Sequence, residues 1–497
     1  MISCRMIALR GEAPQGPGAL FRIGSIVLWR FAVAVLVLSC CTARADQDVL
    51  PYVEARADTS VKMADEIWSL AELGYQEQKS SALLQRYLRG EGFSVVSGVA
   101  GIPTAFVASH GSGKPVIGIL AEFDALPGLS QAAVSRRQPL LEDAPGHACG
   151  HHLFGAASVT AGAAVAAWLE DAGQPGTIRI YGTPAEEGGS GKVYLTRAGL
   201  FDDVDVALHW HPRDSNDASP YTTTANKSGR FTFHGIAAHA AGAPERGRSA
   251  LDGVEAMNFM VNLMREHVPQ ETRIHYVITD GGAAPNIVPE KAQVYYYVRH
   301  PKTETAVAIF ERVVNAAEAG ALGTGTRMDY EVMHGNYPLL PNDVLGRLMD
   351  ENLRVLGGIA YDSDEQRFAE EIRSSLSGDM PPIESVEQVQ PFVFRQNMGS
   401  TDVGDVSWNV PTAGFGTATW VPGTPAHSWQ AVAAGGTSIG HKGMLLAARL
   451  LAVTAADLYQ MPELLAAARD EFEARRGADF RYQALLGDRD PPLNYRQ

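Results

Sequence analysis

The spacing of apolar positions changes along the chain and outlines its elements. From residue 59, "TSVKMADEIWSLAELGYQE" sets apolar residues three and four apart, as an amphipathic helix requires. "SSALLQRYLRGEGF" reads as a second helix, stopped by Gly92. Short apolar runs then alternate with helical stretches. "KPVIGILAEFDALPG" reads as a buried strand ending in acids, and "HLFGAASVTAGAAVAAWLEDAG" as a small-residue helix. "GTIRIYGTPAEEGG" reads as a strand followed by two glutamates, and "DVDVALHWHP" as a short strand ending in histidines. Apolar strands alternating with helices predict an α/β fold with a mostly parallel sheet covered on both faces.

The pattern then switches. "GRFTFHG", a helix over 249–268, the strands "TRIHYVITDGG" and "KAQVYYYVRHP", a helix in "ETAVAIFERVVNAAEAGAL" and the strand "RMDYEVMHG" follow one another. That order is β-α-β-β-α-β, a ferredoxin-like unit. It predicts an inserted domain over 226–335, flanked by catalytic segments 46–225 and 336–497. Its aromatic-rich strands offer an edge that could pair with a second copy. Beyond it, "TAGFGTATWVPGTPAHSWQ" returns to strand and loop, and "HKGMLLAARLLAVTAADLY" reads as a closing helix.

Residues 1–45 fall outside this pattern. Four arginines precede the apolar run "FAVAVLVLSCC", and "ARA" at 43–45 has the form of a cleavage site. The expectation is an export signal cut after Ala45, toward a periplasmic or secreted location. "VLSC" also resembles a lipoprotein box, with Cys40 as the lipid-bearing residue. The apolar run is too short to span a membrane, so no stable span is expected in the mature chain.

Composition narrows the chemistry. The chain has 497 residues, 45% of them hydrophobic and 20% charged, enough for two or three domains with a large core. A formal net charge of −15 argues against a nucleic-acid partner. Of 4 cysteines, Cys4, Cys40 and Cys41 fall in the leader, which leaves Cys149 alone in the folded body. It sits in "APGHACGHHLFG", between histidines, where metal ligation would occupy a thiol otherwise open to oxidation. Cys149 and His151 are two apart in a glycine-containing loop and can face one centre. His147 and His152 flank them, and the helix start at His152 favours a structural role there.

Acids and histidines gather at predicted strand ends: Glu122 and Asp124, Glu186 and Glu187, His209 and His211, and His427. Ligands of open α/β sheets bind outside those ends. "GTPAH" and "GSTDV" lack the strand–Ser–helix context of a serine nucleophile.

Taken in order, "AEFDALPG", "GHACGHHLFG", "GTPAEEGGSGK", "ALHWHP", "GIAAHAAG", "APNIVPE" and "GTPAHS" resemble the metallo-amidohydrolase branch of the aminoacylase/carboxypeptidase metallopeptidases, peptidase family M20. The resemblance runs from about residue 59 to 460 and is nearest the p-aminobenzoyl-glutamate hydrolases. It implies two divalent ions per subunit, manganese or zinc first and cobalt or nickel as alternatives. By motif, the ligands fall on Cys149, His151, Glu187, His209 and His427, and the catalytic general base on Glu186. Asp124 and Glu122 fall where carboxylates support the centre from behind; the wider family has a metal-binding histidine at the place of Glu122. His152 stands where many relatives have Asp or Asn. His239 matches the histidine that reaches a neighbouring subunit's site, which implies a homodimer joined through the inserted domain. Asn286 and Arg299 match residues that hold the substrate carboxylate or the transition state. The implied reaction is hydrolysis of N-acyl or N-aroyl amino acids. A dipeptidase or carboxypeptidase acting on short peptides, and a non-catalytic metal-binding relative, are the alternatives. The last would have lost Glu186 or a ligand, and all are present.

Overall fold

The computed structural model describes residues 48–496, so the expected leader, with Cys40 and Ala45, lies outside the described residues. Two sheets carry the architecture. The first joins β1 (Ser94–Ser97), β2 (Phe106–Ser112), β3 (Val116–Ala121), β4 (Gly176–Gly182), β5 (Val206–Arg213) and β12 (Thr412–Ala418) in the order β1-β2-β4-β3-β5-β12. Its β4-β3-β5-β12 portion is parallel, and β1 and β2 extend it antiparallel. Every residue of β3 is buried, which is why that strand reads as an unbroken apolar run. A short parallel pair, β6 (Tyr221–Thr222) with β11 (Arg395–Gln396), stands apart from it.

Helix His151–Ala172 packs on the first sheet through Ala, Gly and Ser, whose small side chains let it approach closely. The closing helix Ser438–Gln460 lies against it. Both are long and apolar enough to cross a membrane, yet 94% and 78% of their apolar windows are buried inside the protein. They serve as core helices.

The second sheet has the order β10-β7-β9-β8 and is antiparallel throughout, with β7 (Ala225–His234), β8 (Arg273–Asp280), β9 (Lys291–His300) and β10 (Arg327–Asn336). Helices Ala250–Met264 and Thr303–Thr324 pack on it around Phe231, Phe233, Val294, Tyr296 and Phe310. This is the ferredoxin-like unit anticipated from the pattern. The helix expected over 249–268 ends at Met264 and tightens into a 3₁₀ turn at Arg265–His267. β8 is the sheet's edge, and Tyr276, Val277 and Ile278 stay exposed on it; Phe259 and Leu263 are exposed on the neighbouring helix.

Two features escape the sequence pattern. β5 does not end at its histidines but runs on to Arg213, because β12 pairs with it as far as Ala418. Residues 477–496 return across the catalytic region: Arg489 pairs with Glu331 of β10, and Arg197 donates to the carbonyls of Gly487 and Arg489.

Candidate metal centre

The carboxyl ends of β3, β4, β5 and β12 deliver one cluster of side chains. The loop after β3 carries Glu122 and Asp124, both buried. Gly150, at φ 75°, turns the chain into helix His151–Ala172, so that Cys149 before the turn and His151 after it face the same point. The loop after β4 carries Glu186 and Glu187 between Ala185 (φ 58°) and Ser190 (φ 62°), and His427 sits at φ 59°. Left-handed backbone at non-glycine residues is strain, and such strain concentrates at functional loops.

Three donor groups result, each with its ligand atoms within 4.8 Å of one another: Cys149/His151/His211, Cys149/Glu187/His427 and Glu122/His151/Glu186. Cys149 Sγ lies 3.5 Å from His211 Nε2. His151 Nε2 lies 3.1 Å from Glu122 Oε2, and His427 Nε2 lies 3.2 Å from Glu187 Oε1. The buried His151 Nε2, Glu122 Oε2 and Glu187 Oε1 nevertheless make no hydrogen bond. Buried polar atoms are normally satisfied, so converging donors left without hydrogen bonds fit a cation.

The surroundings orient these donors. Asp124 Oδ1 lies 2.9 Å from His151 Nδ1, and Asp124 Oδ2 accepts from the Glu187 amide at 2.9 Å. A carboxylate behind a ligand histidine fixes the ring and its tautomer. Burial, then the neighbouring Glu187 charge, pushes the Cys149 thiol well above its ordinary value, so only a strong positive charge would hold it as thiolate. Burial followed by Glu122 and Glu187 also raises the Glu186 carboxyl well above the usual range.

At one position the structure groups a different histidine with the cluster from the one expected. His209 does not join Cys149; His211 does. Both point to the same face of β5, where alternate residues share a side. His209 lies one pair deeper, its ring directly over Gly414 of β12. Burial pushes its pKa down to about 3, and its Nε2 is buried without a hydrogen bond. The other histidines of the motif turn away: His147 donates to the Ile67 carbonyl and His152 to that of Gly435, each at 3.0 Å.

Other contributors carry no legible sequence signal. Lys192 is fully buried, with Nζ 2.7 Å from both Glu122 Oε1 and Asp402 Oδ1. A lysine can be buried this deeply only when paired, but pairing is invisible until the fold brings Asp402 across. Tyr495 and Arg496 donate to the Glu187 carbonyl at 3.1 and 2.6 Å.

A cavity of about 370 Å³ opens onto the cluster, lined by Glu186, Glu187 and His427 on one side and Arg213 and Tyr221 on another. His239, Asn286 and Arg299 do not line it. His239 and Asn286 are exposed beside each other on the inserted domain, where the Ala240 amide donates to the Asn286 carbonyl. Arg299 lies over the Tyr297 ring, 5.4 Å from its centroid.

Comparisons with known proteins agree with this architecture. Residues 221–324 match the peptidase dimerisation domain model. The chain is 40% identical over 448 residues to one of the polypeptides of the p-aminobenzoyl-glutamate hydrolase of Escherichia coli, covering 85% of this chain and 93% of that protein. It is 30% identical over 438 residues to the Xaa-Arg dipeptidase of Mus musculus, covering 85% of this chain and 91% of that protein. Among solved structures, the YXEP protein of Bacillus subtilis, described as a dinuclear metal-binding peptidase of the M20 family, superposes with a TM-score of 0.51 at 18% identity, over 80% of this chain and 99% of that one. Identity of this extent with whole relatives, on the same fold, makes the chain a member of peptidase family M20, in its amidohydrolase branch.

Proposed function

We propose that this amidohydrolase cleaves the amide bond of N-acyl or N-aroyl amino acids, p-aminobenzoyl-glutamate-like compounds among them, using two divalent cations. The observation that carries the reading is Cys149, whose sulfur belongs to two donor groups at once, with Glu186 beside them. Cys149, His151 and His211 would hold one cation, and Cys149, Glu187 and His427 the other. Bound divalent cations lower the pKa of water and polarise a carbonyl. Manganese and zinc suit this mixture of thiolate, imidazole and carboxylate, with cobalt and nickel as further options.

The chain's own groups supply the remaining chemistry. Glu186 lies outside the two donor groups that share Cys149, so its carboxyl would take a proton from the attacking water and return it to the leaving amine. Asp124 holds His151 in orientation, and Lys192 keeps Glu122 in place. His239, Asn286 and Arg299 point to a second copy of the chain. In a homodimer formed across the exposed apolar face of β8 and helix Ala250–Met264, His239 of the partner subunit would donate to the oxyanion. Arg299 would grip the α-carboxylate in two-pronged fashion.

A hydrolysis screen tests this reading: chelated protein reloaded with manganese, zinc, cobalt or nickel, assayed on N-benzoyl and N-acetyl amino acids beside free dipeptides. Turnover restricted to the acylated compounds supports it. Turnover of free dipeptides alone favours the peptidase reading, which the dipeptidase relative keeps open. Export is part of the proposal: mature protein from its native host would begin at Asp46 or at a lipid-modified Cys40, as N-terminal sequencing would read directly.

A further inference from the structure

Arg213 has no part in the chemistry above, yet it stands in the metal cavity. It is the last residue of β5 and shares a strand face with His209 and His211, so the sheet aims all three the same way. Its backbone is fixed, since its carbonyl accepts from the amides of Thr419 and Trp420 at 2.8 and 3.2 Å. Its stem runs over Gly416 of β12; a Cβ there would come within 2.3 Å of Arg213 Cδ, so glycine is what admits the side chain. The guanidinium lies over the Tyr221 ring, 5.1 Å from its centroid, and both residues line the cavity.

What Arg213 lacks is a carboxylate. Of the other cations close to this cluster, Lys192 is spent on Glu122 and Asp402, and Arg496 donates to the Glu187 carbonyl. Among the described residues no carboxylate forms an ion pair with Arg213, although Glu122, Glu186 and Glu187 line the same cavity. A guanidinium held beside an aromatic ring and without a carboxylate partner matches the planar fork of a carboxylate. With Glu122 paired to Lys192 and Glu187 assigned to a cation, Arg213 is the one Arg or Lys among the residues lining the cavity, and its charge is left for a negatively charged group of the substrate.

We propose that Arg213 is a specificity-determining residue that receives a second carboxylate of the substrate, distinct from the α-carboxylate. The preferred substrates are then dicarboxylic amides. The extra acid lies either on the released amino acid, as in N-acyl glutamates, or on the acyl group, as in N-succinyl amino acids. This assignment rests on the amidohydrolase reading above.

Two pairs of near-isosteric substrates separate the sources: N-benzoyl-glutamate against N-benzoyl-glutamine, and N-succinyl-leucine against N-succinamoyl-leucine. Metal-loaded wild-type protein is expected to favour the acid of one pair by at least ~10-fold in kcat/KM, the scale of one charge-assisted pair. In Arg213→Met that ratio falls toward one, through KM of the acidic member. Arg213→Lys, which keeps the charge without the fork, retains part of it. The pair whose ratio collapses identifies the source of the carboxylate. Equal handling of both members by wild type overturns the assignment and leaves the amidohydrolase reading standing. So does an Arg213→Met ratio equal to that of wild type, since Arg213 then serves the α-carboxylate or the architecture. Wild-type protein that hydrolyses none of the four compounds overturns both.

Discussion

The catalytic region and the inserted domain present their polar residues in opposite ways. Around Cys149 the side chains are buried, oriented from behind and converging: Asp124 on His151, Lys192 between Glu122 and Asp402, Arg496 on the Glu187 carbonyl. On the inserted domain, His239 and Asn286 stand exposed, and His239 Nδ1 merely accepts from the amides of Ala241 and Gly242. One region holds a site assembled within a single chain. The other offers groups with nothing opposite them, next to an exposed apolar sheet edge. Desolvated, cross-braced groups are built for chemistry in place, whereas exposed groups beside an apolar sheet edge are open to another surface, as proposed for His239.

The largest effects are expected in the buried region. Glu186→Gln should retain full metal content while kcat falls at least ~100-fold, the lower range for a lost general base. Glu187→Gln should lose metal, because its carboxylate belongs to the Cys149/Glu187/His427 group. Elemental analysis beside steady-state kinetics reads both. Metal lost from Glu186→Gln and kept in Glu187→Gln would exchange the two roles.

The exposed region should show its effect only between copies. If His239 serves the partner's cavity, Glu186→Ala and His239→Ala homodimers are both nearly inactive. Under random isologous pairing, half of a co-refolded mixture is hybrid dimer, and each hybrid holds one site with both defects and one with none. About a quarter of all sites then regain activity under that pairing. Native mass spectrometry counts the hybrids. Hybrids present without recovered turnover would return His239 to its own chain and dissolve the contrast between the regions.

The same contrast explains what was legible in the sequence. Periodicity carried the sheet and the inserted unit because burial on both faces of β3, and on one face of each inserted helix, writes itself into apolar spacing. The strand-end acids, Cys149 and His151 were legible because chemistry-bearing residues stand out after apolar runs. His209 and His211 could not be separated this way. They share a strand face and each lies opposite a glycine of β12, so only their depth along the folded strand decides which of them reaches Cys149. Lys192 and Asp402, 210 positions apart, meet through the fold alone. Tyr495 and Arg496 lie in a segment without periodic pattern, so nothing local marks their path back to Glu187.

That returning segment gives a more modest prediction within the buried region. Tyr495 and Arg496 touch the carbonyl of a proposed ligand residue, so they position it without meeting substrate. Arg496→Ala combined with Tyr495→Phe should weaken metal binding about 10-fold, the lower range for a supporting contact behind a metal site. Titration of the chelated protein with zinc checks it. Unchanged affinity with a lowered melting temperature would make the segment a structural strap only.

A last effect concerns pH and belongs to the catalytic region, behind the cavity. Asp405 is fully buried, and burial raises its carboxyl from 3.8 to about 8, against the hydrogen bonds it accepts from Tyr482 and the Tyr337 amide. Between those values the folded chain keeps a proton that the unfolded chain has released. Its contribution to stability is therefore complete below pH 3.8 and is lost as pH rises through about 8. The slope is at most about 1.4 kcal/mol per pH unit for one such group. Asp405→Asn removes the titration and keeps one acceptor, so denaturant midpoints measured from pH 5 to 8 should become flatter than those of wild type. Hydrogen exchange across the same range should show the wild-type loss of protection around Tyr337, Asp405 and Tyr482, with β8 and β9 of the inserted domain unaffected. A wild-type slope unchanged by Asp405→Asn, or a loss of protection spread equally over both regions, would remove Asp405 as its source.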